Sequence, residues 1–233
     1  MSLPQFVPNA AVLDRMQACI QTWEACADDK ALFLRCYFLM TSNMFSAVEA
    51  RQFDDPVWVH NLLHHFADYY FDALHLYEQD ASATPLVWQM AHDAARSPRT
   101  SAIQKLLLGI NAHINYDLVL AVADMLSQEW QDHTPVQRAS RYSDHCHVNQ
   151  IIGQSIDAVQ DQVLEPAMPV MELFDRLLGP VDEILISRLI TAWREDVWRN
   201  AAGLLDCTDP QARGGLVDQV HADAVKIARF IAA

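Results

Sequence analysis

From Leu106 to Leu126 the chain reads LLLGINAHINYDLVLAVADML, an apolar run interrupted by Asn111, His113, Asn115 and Asp117. A run this oily must be covered on nearly every side, and the four polar side chains then go inside with it. Enclosing an amide, imidazole or carboxylate costs roughly 2–7 kcal/mol unless it finds hydrogen-bond partners. The fold is therefore obliged to bring polar groups from neighbouring segments to this helix, either to lock a network or to build a site.

The neighbouring segments read as helices too. Val12, Met16, Ile20 and Trp23 recur at three- and four-residue steps and predict a helix from Ala10 to about Ala27. Asp28 or Asp29 is placed to cap a second helix through Phe33, Tyr37 and Met44, and Asp55-Pro56 is a strong start for a third, ending near Glu78. Thr84-Pro85 opens a fourth, and Ser97-Pro98 breaks the chain before the central run. Beyond it, Thr134-Pro135 starts a short helix, and another is expected from about Ser143 to Leu164. Pro166 and Pro169 precede MELFDRLL, Gly179-Pro180 makes a clean break, and helices follow over Val181–Leu205 and Gln211–Ala232. Strand signals, internal repeats and long linkers are missing from the pattern. The expectation is all-α: one domain over residues 1–233, a bundle of about nine helices.

Sixteen Lys and Arg against 30 Asp and Glu give a formal charge of −14, which disfavours phosphate backbones and anionic lipid as partners. Five cysteines without a CxxC pair suit reduced thiols better than a disulfide framework. The N-terminal MSLPQFVPNA has no basic stretch leading into an apolar core, so no signal peptide is expected. Only Leu106–Leu126 approaches membrane length, and His113 and Asp117 near its centre argue against a lone span. These readings predict a soluble, cytoplasmic protein acting on a small molecule, with neither nucleic acid nor membrane as partner.

Three groups of residues are candidates for chemistry. His113 and Asp117 lie one turn apart on one helix face, an arrangement suited to a divalent metal or to an imidazole whose tautomer the acid fixes. His60, His64 and Asp68 follow four-residue spacing along the helix that begins at Pro56 and present three further ligand types, or else a plain polar arc. Asp144, His145, His147 and Asn149 cluster in RYSDHCHVNQ, where Asp144 reads equally as a helix cap. The dipeptide His92-Asp93 matches the HD element of phosphohydrolases in two residues only. Trp193 and Trp198 read as core, with Arg194 and Arg199 snorkelling beside them. The Glu-x-x-His pairs of di-iron bundles, HExxH, GxSxG and glycine-rich phosphate loops do not occur.

HNLLHHFADYYFDAL, PLVWQMA, LLLGINAHINYDLVLAV and SDHCHVNQII together resemble a family of bacterial all-helical proteins of unknown function with a Gly-x-Asn-Ala-His-Ile-x-x-Asp-Leu signature. The likeness runs from about His60 to Ile152 and rests on Gly109, Asn111, Ala112, His113, Ile114, Asp117 and Leu118. It implies the helical fold and singles out His113 and Asp117 without implying an activity. More distantly, the His-x-x-x-Asp element is similar to that of zinc-dependent phospholipase C and related nucleases. The later His-x-x-x-Glu of those proteins does not occur here, nor does their N-terminal tryptophan.

The leading expectation is a metal-dependent hydrolase. In it His113, Asp117, His60, His64 and Asp68 hold zinc, iron or manganese, and Asn111 orients the water or substrate. The alternatives are a metal-free enzyme or small-molecule binder built on the same groups, or a scaffold without catalysis.

Overall fold

The computed structural model describes residues 9–159, 162–163 and 181–233, with side chains over 9–155, 162–163 and 188–233. Among these residues there are eight helices and no strands. They are α1 (Asn9–Ala25), α2 (Lys30–Glu49), α3 (Pro56–Gln79), α4 (Leu86–Arg96), α5 (Ala102–Leu126), α6 (Pro135–Val159), α7 (Val181–Asp206) and α8 (Pro210–Ala232). The all-α expectation holds, with a count near the nine anticipated. One difference is that Thr134-Pro135 opens a single long helix to Val159 where two were expected. Asp144 therefore lies in its interior and caps nothing of its own. The MELFDRLL segment, with Pro166, Pro169 and the Gly179-Pro180 break, lies outside the described residues.

Local chemistry explains most helix starts. The Asp55 carboxylate accepts the Val57 and Trp58 N–H groups at 3.1 and 3.0 Å, with Pro56 in the first turn. Asp209 does the same for α8 ahead of Pro210. Ser101 with Gln104 and Thr134 with Gln137 form reciprocal caps, each polar side chain taking the other's backbone N–H. At α2 the Asp28 carboxylate accepts the Lys30 N–H at 3.0 Å. With only six glycines in the chain, the left-handed turns after α1 and α2 fall to Ala27 (φ 53°) and Arg51 (φ 55°).

Helix α5 is the axis of the bundle and touches α2, α3, α4, α7 and α8. Two apolar clusters meet along it. One gathers α1, α2, α3, α4 and the first half of α5 around Met16, Leu34, Tyr70, Trp88 and Leu108; the other gathers Trp58, Val122, Leu126, Val197 and Leu204. Phe66, Ile114 and Tyr116 pack against both. By length and composition, Lys30–Glu49 and Ala102–Leu126 are each apolar enough to cross a membrane, but 50% and 67% of them are buried within the protein. Central helices of a bundle meet the same description.

Helices α5 and α2 approach closely at Gly109. A Cβ built on Gly109 would lie 2.6 Å from two atoms of the Phe33 ring. Glycine costs about 1 kcal/mol in a helix relative to alanine, so the contact rather than the helix requires it. Gly109→Ala is expected to lower stability by about 1–3 kcal/mol despite the better helix former, because the ring must move within a packed interior. Urea midpoints of the two proteins measure this, and an unchanged or raised midpoint would refute it.

Candidate functional site

Between the two apolar clusters α5 loosens into a π-helical turn over His113–Leu118. Such turns are rare and concentrate at functional sites. Here the turn carries His113 and Asp117, both almost wholly enclosed. His113 Nδ1 lies 3.2 Å from Asp117 Oδ2, and the Trp88 indole N–H, on α4, points at both carboxylate oxygens from 3.0 Å. The sequence pairing of His113 with Asp117 is thus formed. Its third member, Trp88, carries no spacing signal, since it arrives from another helix.

Burial drives both members of the pair toward their uncharged forms. It holds the His113 imidazole well below its ordinary pKa and pushes the Asp117 carboxyl well above its own, the latter opposed by the Trp88 N–H. Which of the two holds the proton between Nδ1 and Oδ2 sets the role of the far nitrogen, so that Nε2 donates in one tautomer and accepts in the other. That Nε2 is enclosed and has no hydrogen-bond partner. Aromatic rings grip the imidazole instead. Phe66 stacks on it at 3.6 Å with 8° between planes, and Tyr37 meets it edge-on at 4.2 Å.

Asn111 does not share this space. Its Nδ2 donates to the Ala224 carbonyl of α8 at 2.9 Å, and its Oδ1 accepts from Asn115 at 2.9 Å. Two residues before His113, it points to the other side of the helix, so the amide ties α5 to α8 and is not placed to orient a substrate beside His113. The α3 residues are elsewhere as well. The His60 and His64 rings lie 4.6 Å apart and both pack on Phe45, while Asp68 is exposed. Among the described residues no three His, Cys, Asp or Glu side chains gather in a group that could hold a metal ion. The five expected ligands therefore do not form one coordination sphere. The reason is helix phase: Val59, Leu62, Leu63 and Phe66 face the His113 side of α3, which turns His60 and His64 away.

What those α3 residues face is a cavity of about 130 Å³. Its wall is drawn from α2, α3, α5, α6 and α7 and is overwhelmingly apolar. His113, Tyr37, Thr41 and Trp58 line it, and His113 Nε2, the Tyr37 and Thr41 hydroxyls and Trp58 Nε1 are all enclosed without a partner in hydrogen-bond geometry. Burial raises the Tyr37 phenol far above its usual range, an effect that the neighbouring Thr41 hydroxyl opposes. Cys36 also lines the cavity, its thiol pushed up to about 12 by burial, so it is no nucleophile.

The RYSDHCHVNQ cluster reaches the same wall. The Asp144 oxygens accept the Asp54 and Asp55 backbone N–H groups at 2.6 and 2.9 Å, which pins the turn before α3. His145 Nε2 meets the Arg194 carbonyl at 2.8 Å, and burial, then the Arg194 charge, lowers the imidazole pKa to about 3. His147 packs edge-on against Phe53 instead. Arg194 is only 5% exposed, so it does not snorkel as its place between two tryptophans suggested. The signal was its own position four residues after Ile190 and three before Val197, on the apolar stripe of α7. Asp93, of the His-Asp dipeptide, accepts from the Tyr77 hydroxyl at 2.6 Å, and His92 stacks on Trp88.

The chain belongs to the family of unknown function DUF5995, whose model matches residues 10–233. No curated protein and no solved structure matches it.

Two predictions test this geometry. In a double-mutant cycle, Trp88→Phe and Asp117→Asn are expected to couple by about 1–2 kcal/mol, because each removes one end of the same buried hydrogen bond; additive losses of stability would dispose of the pairing. The second concerns pH. Burial, aided by Lys30 and Arg96 and opposed by Asp28, lowers the His92 pKa to about 3, as burial does for His145. Both stay neutral when folded, whereas the unfolded chain takes up protons below about 6.5. Stability is therefore full above that value and falls as the pH drops toward 3, by roughly 1.4 kcal/mol per pH unit for each such histidine. Urea midpoints between pH 6 and 4.5 should show a shallower loss for His92→Phe than for the parent, and equal slopes would contradict the neutral assignment.

Proposed function

We propose that this DUF5995 protein is a small-molecule binder whose ligand sits in the cavity beside His113. The observation that carries the reading is an apolar cavity of about 130 Å³ lined by four residues, His113, Tyr37, Thr41 and Trp58, that each hold an enclosed polar atom without a conventional hydrogen bond. Buried polar groups are nearly always satisfied, and each left alone costs about 1–3 kcal/mol. Other enclosed atoms without a partner are spread through the described residues, among them Thr84 Oγ1, His92 Nε2 and His147 Nε2. These four, however, belong to residues of one wall, and a few polar groups inside an apolar shell are what a ligand pocket uses to fix orientation.

The volume limits the occupant. A chamber of about 150 Å³ lined by aliphatic and aromatic side chains accepts benzene, so one of about 130 Å³ suits a single ring or a short acyl chain. Metal-dependent hydrolysis has less support from the residues themselves. Asp117 and His113 Nδ1 are already engaged with each other and with Trp88, and the α3 histidines face Phe45. The Asp117–His113 pair does have the form of an oriented acid or base, but the wall supplies no activated nucleophile for it to serve.

Benzyl alcohol is a suitable probe, one ring with one hydroxyl. At ten times its dissociation constant it is expected to raise the melting temperature by about 3–6 °C. Val148→Phe, which fills the cavity from α6, should fold and lose the response. No shift from benzyl alcohol, phenol or toluene in the parent protein, measured by scanning calorimetry, would remove the reading.

A further inference from the structure

The residues of the cavity wall hold fixed donors and no free fixed acceptor. Trp58 Nε1 can only donate, while His113 Nε2 and the Tyr37 and Thr41 hydroxyls can donate or accept. The one carboxylate in the wall, Asp144, is committed through both oxygens to the Asp54 and Asp55 N–H groups. Arg194 also lines the cavity and brings a guanidinium, which can only donate.

That guanidinium is the unusual member. Its Nε donates to Asn149 Oδ1 at 2.7 Å, and its Nη2 to the His145 carbonyl at 2.8 Å and toward His145 Nδ1 at 3.4 Å. All three acceptors are neutral. His145 gives its Nε2 proton to the Arg194 carbonyl, so Nδ1 holds a lone pair and imposes no charge of its own. No carboxylate among the described residues pairs with Arg194, and Glu195, whose charge it feels, is occupied with Tyr142. A buried ion met only by dipoles is an incomplete arrangement, because burial of charge is ordinarily offset by an opposite charge.

We infer that the ligand is a carboxylic acid in its ionised form, its apolar body in the chamber and its carboxylate paired with Arg194. This rests on the cavity being a binding site and goes on to say which chemical class fills it. Nη1 of Arg194 makes no hydrogen bond among the described residues and is left to meet a carboxylate oxygen by a charge-assisted bond, with neighbouring donors for the second oxygen. A phosphate dianion fits less well, since the described wall offers one cation.

Titration calorimetry with benzoate, benzamide and benzyl alcohol decides the matter. The three share a ring and differ in charge. Benzoate is expected to bind the parent protein at least about tenfold more tightly than the other two. Arg194→Met should weaken benzoate about fiftyfold more than it weakens benzyl alcohol. Should that variant fail to fold, the parent's preference for benzoate over benzamide still decides the point. If benzyl alcohol binds and benzoate does not, or if a folded Arg194→Met keeps its benzoate affinity, the carboxylate inference falls and the cavity reading survives. If none of the three binds, both fall together.

Discussion

The interaction on which the structure depends is the bond from the Trp88 indole to Asp117, deep between α4 and α5. An apolar helix with a carboxylate near its centre can pack in many ways until something specifies where that carboxylate goes. Trp88 specifies it: the ring supplies apolar area to the core and its N–H satisfies the acid. Once Asp117 is fixed, so is the imidazole one turn away, and the stacked Phe66 ring then sets how α3 lies across α5. Asn111 performs the equivalent task on the opposite side through the Ala224 carbonyl. The polar residues of the central helix are thus used in two directions, which makes α5 an axis with a defined rotation.

Against these satisfied residues stands the cavity side. Asp117 and Asn111 show that the fold completes polar networks where a network is the purpose. His113 Nε2, Trp58 Nε1 and the two hydroxyls, on residues that line the cavity, are enclosed without such partners. Sequences keep local conflicts of this kind mainly at functional sites, where stability gives way to recognition. Arg194 points the same way, since among the described residues its hydrogen bonds go only to neutral acceptors, and replacing such an arginine with an apolar residue would ordinarily stabilise a core.

Much of the fold was legible because helix boundaries are local. Asp55-Pro56, Ser101 with Gln104, and Asp209-Pro210 act within four residues of themselves, and each behaves in the structure as its chemistry requires. The site was legible only as far as it lies on one helix. Spacing put His113 beside Asp117 and put His60 beside His64, and both pairs form. It could not say that α3 would turn its histidines toward Phe45 and offer Phe66 to His113, because relative helix rotation is decided by packing between segments far apart in the chain. Arg194 was misread for a different reason. Two adjacent tryptophans invite the picture of an arginine lying over them, whereas the apolar stripe through Ile190, Val197 and Leu204 carries it inward.

Phe33 joins these threads. Its ring lines the cavity, meets the His113 imidazole edge-on at 5.8 Å, and rests where a side chain on Gly109 would be. The glycine therefore does more than let two helices approach. By admitting Phe33 against α5 it closes one side of the aromatic enclosure that keeps His113 dry, and dryness is what holds the imidazole toward its uncharged form. Gly109, His113 and Asp117 follow one another at four-residue steps along α5 and work as one device. The first admits the ring that excludes water, the second lines the chamber, and the third, held by Trp88, fixes the orientation of the imidazole. A larger residue at the first position would alter the chemistry at the second without touching it.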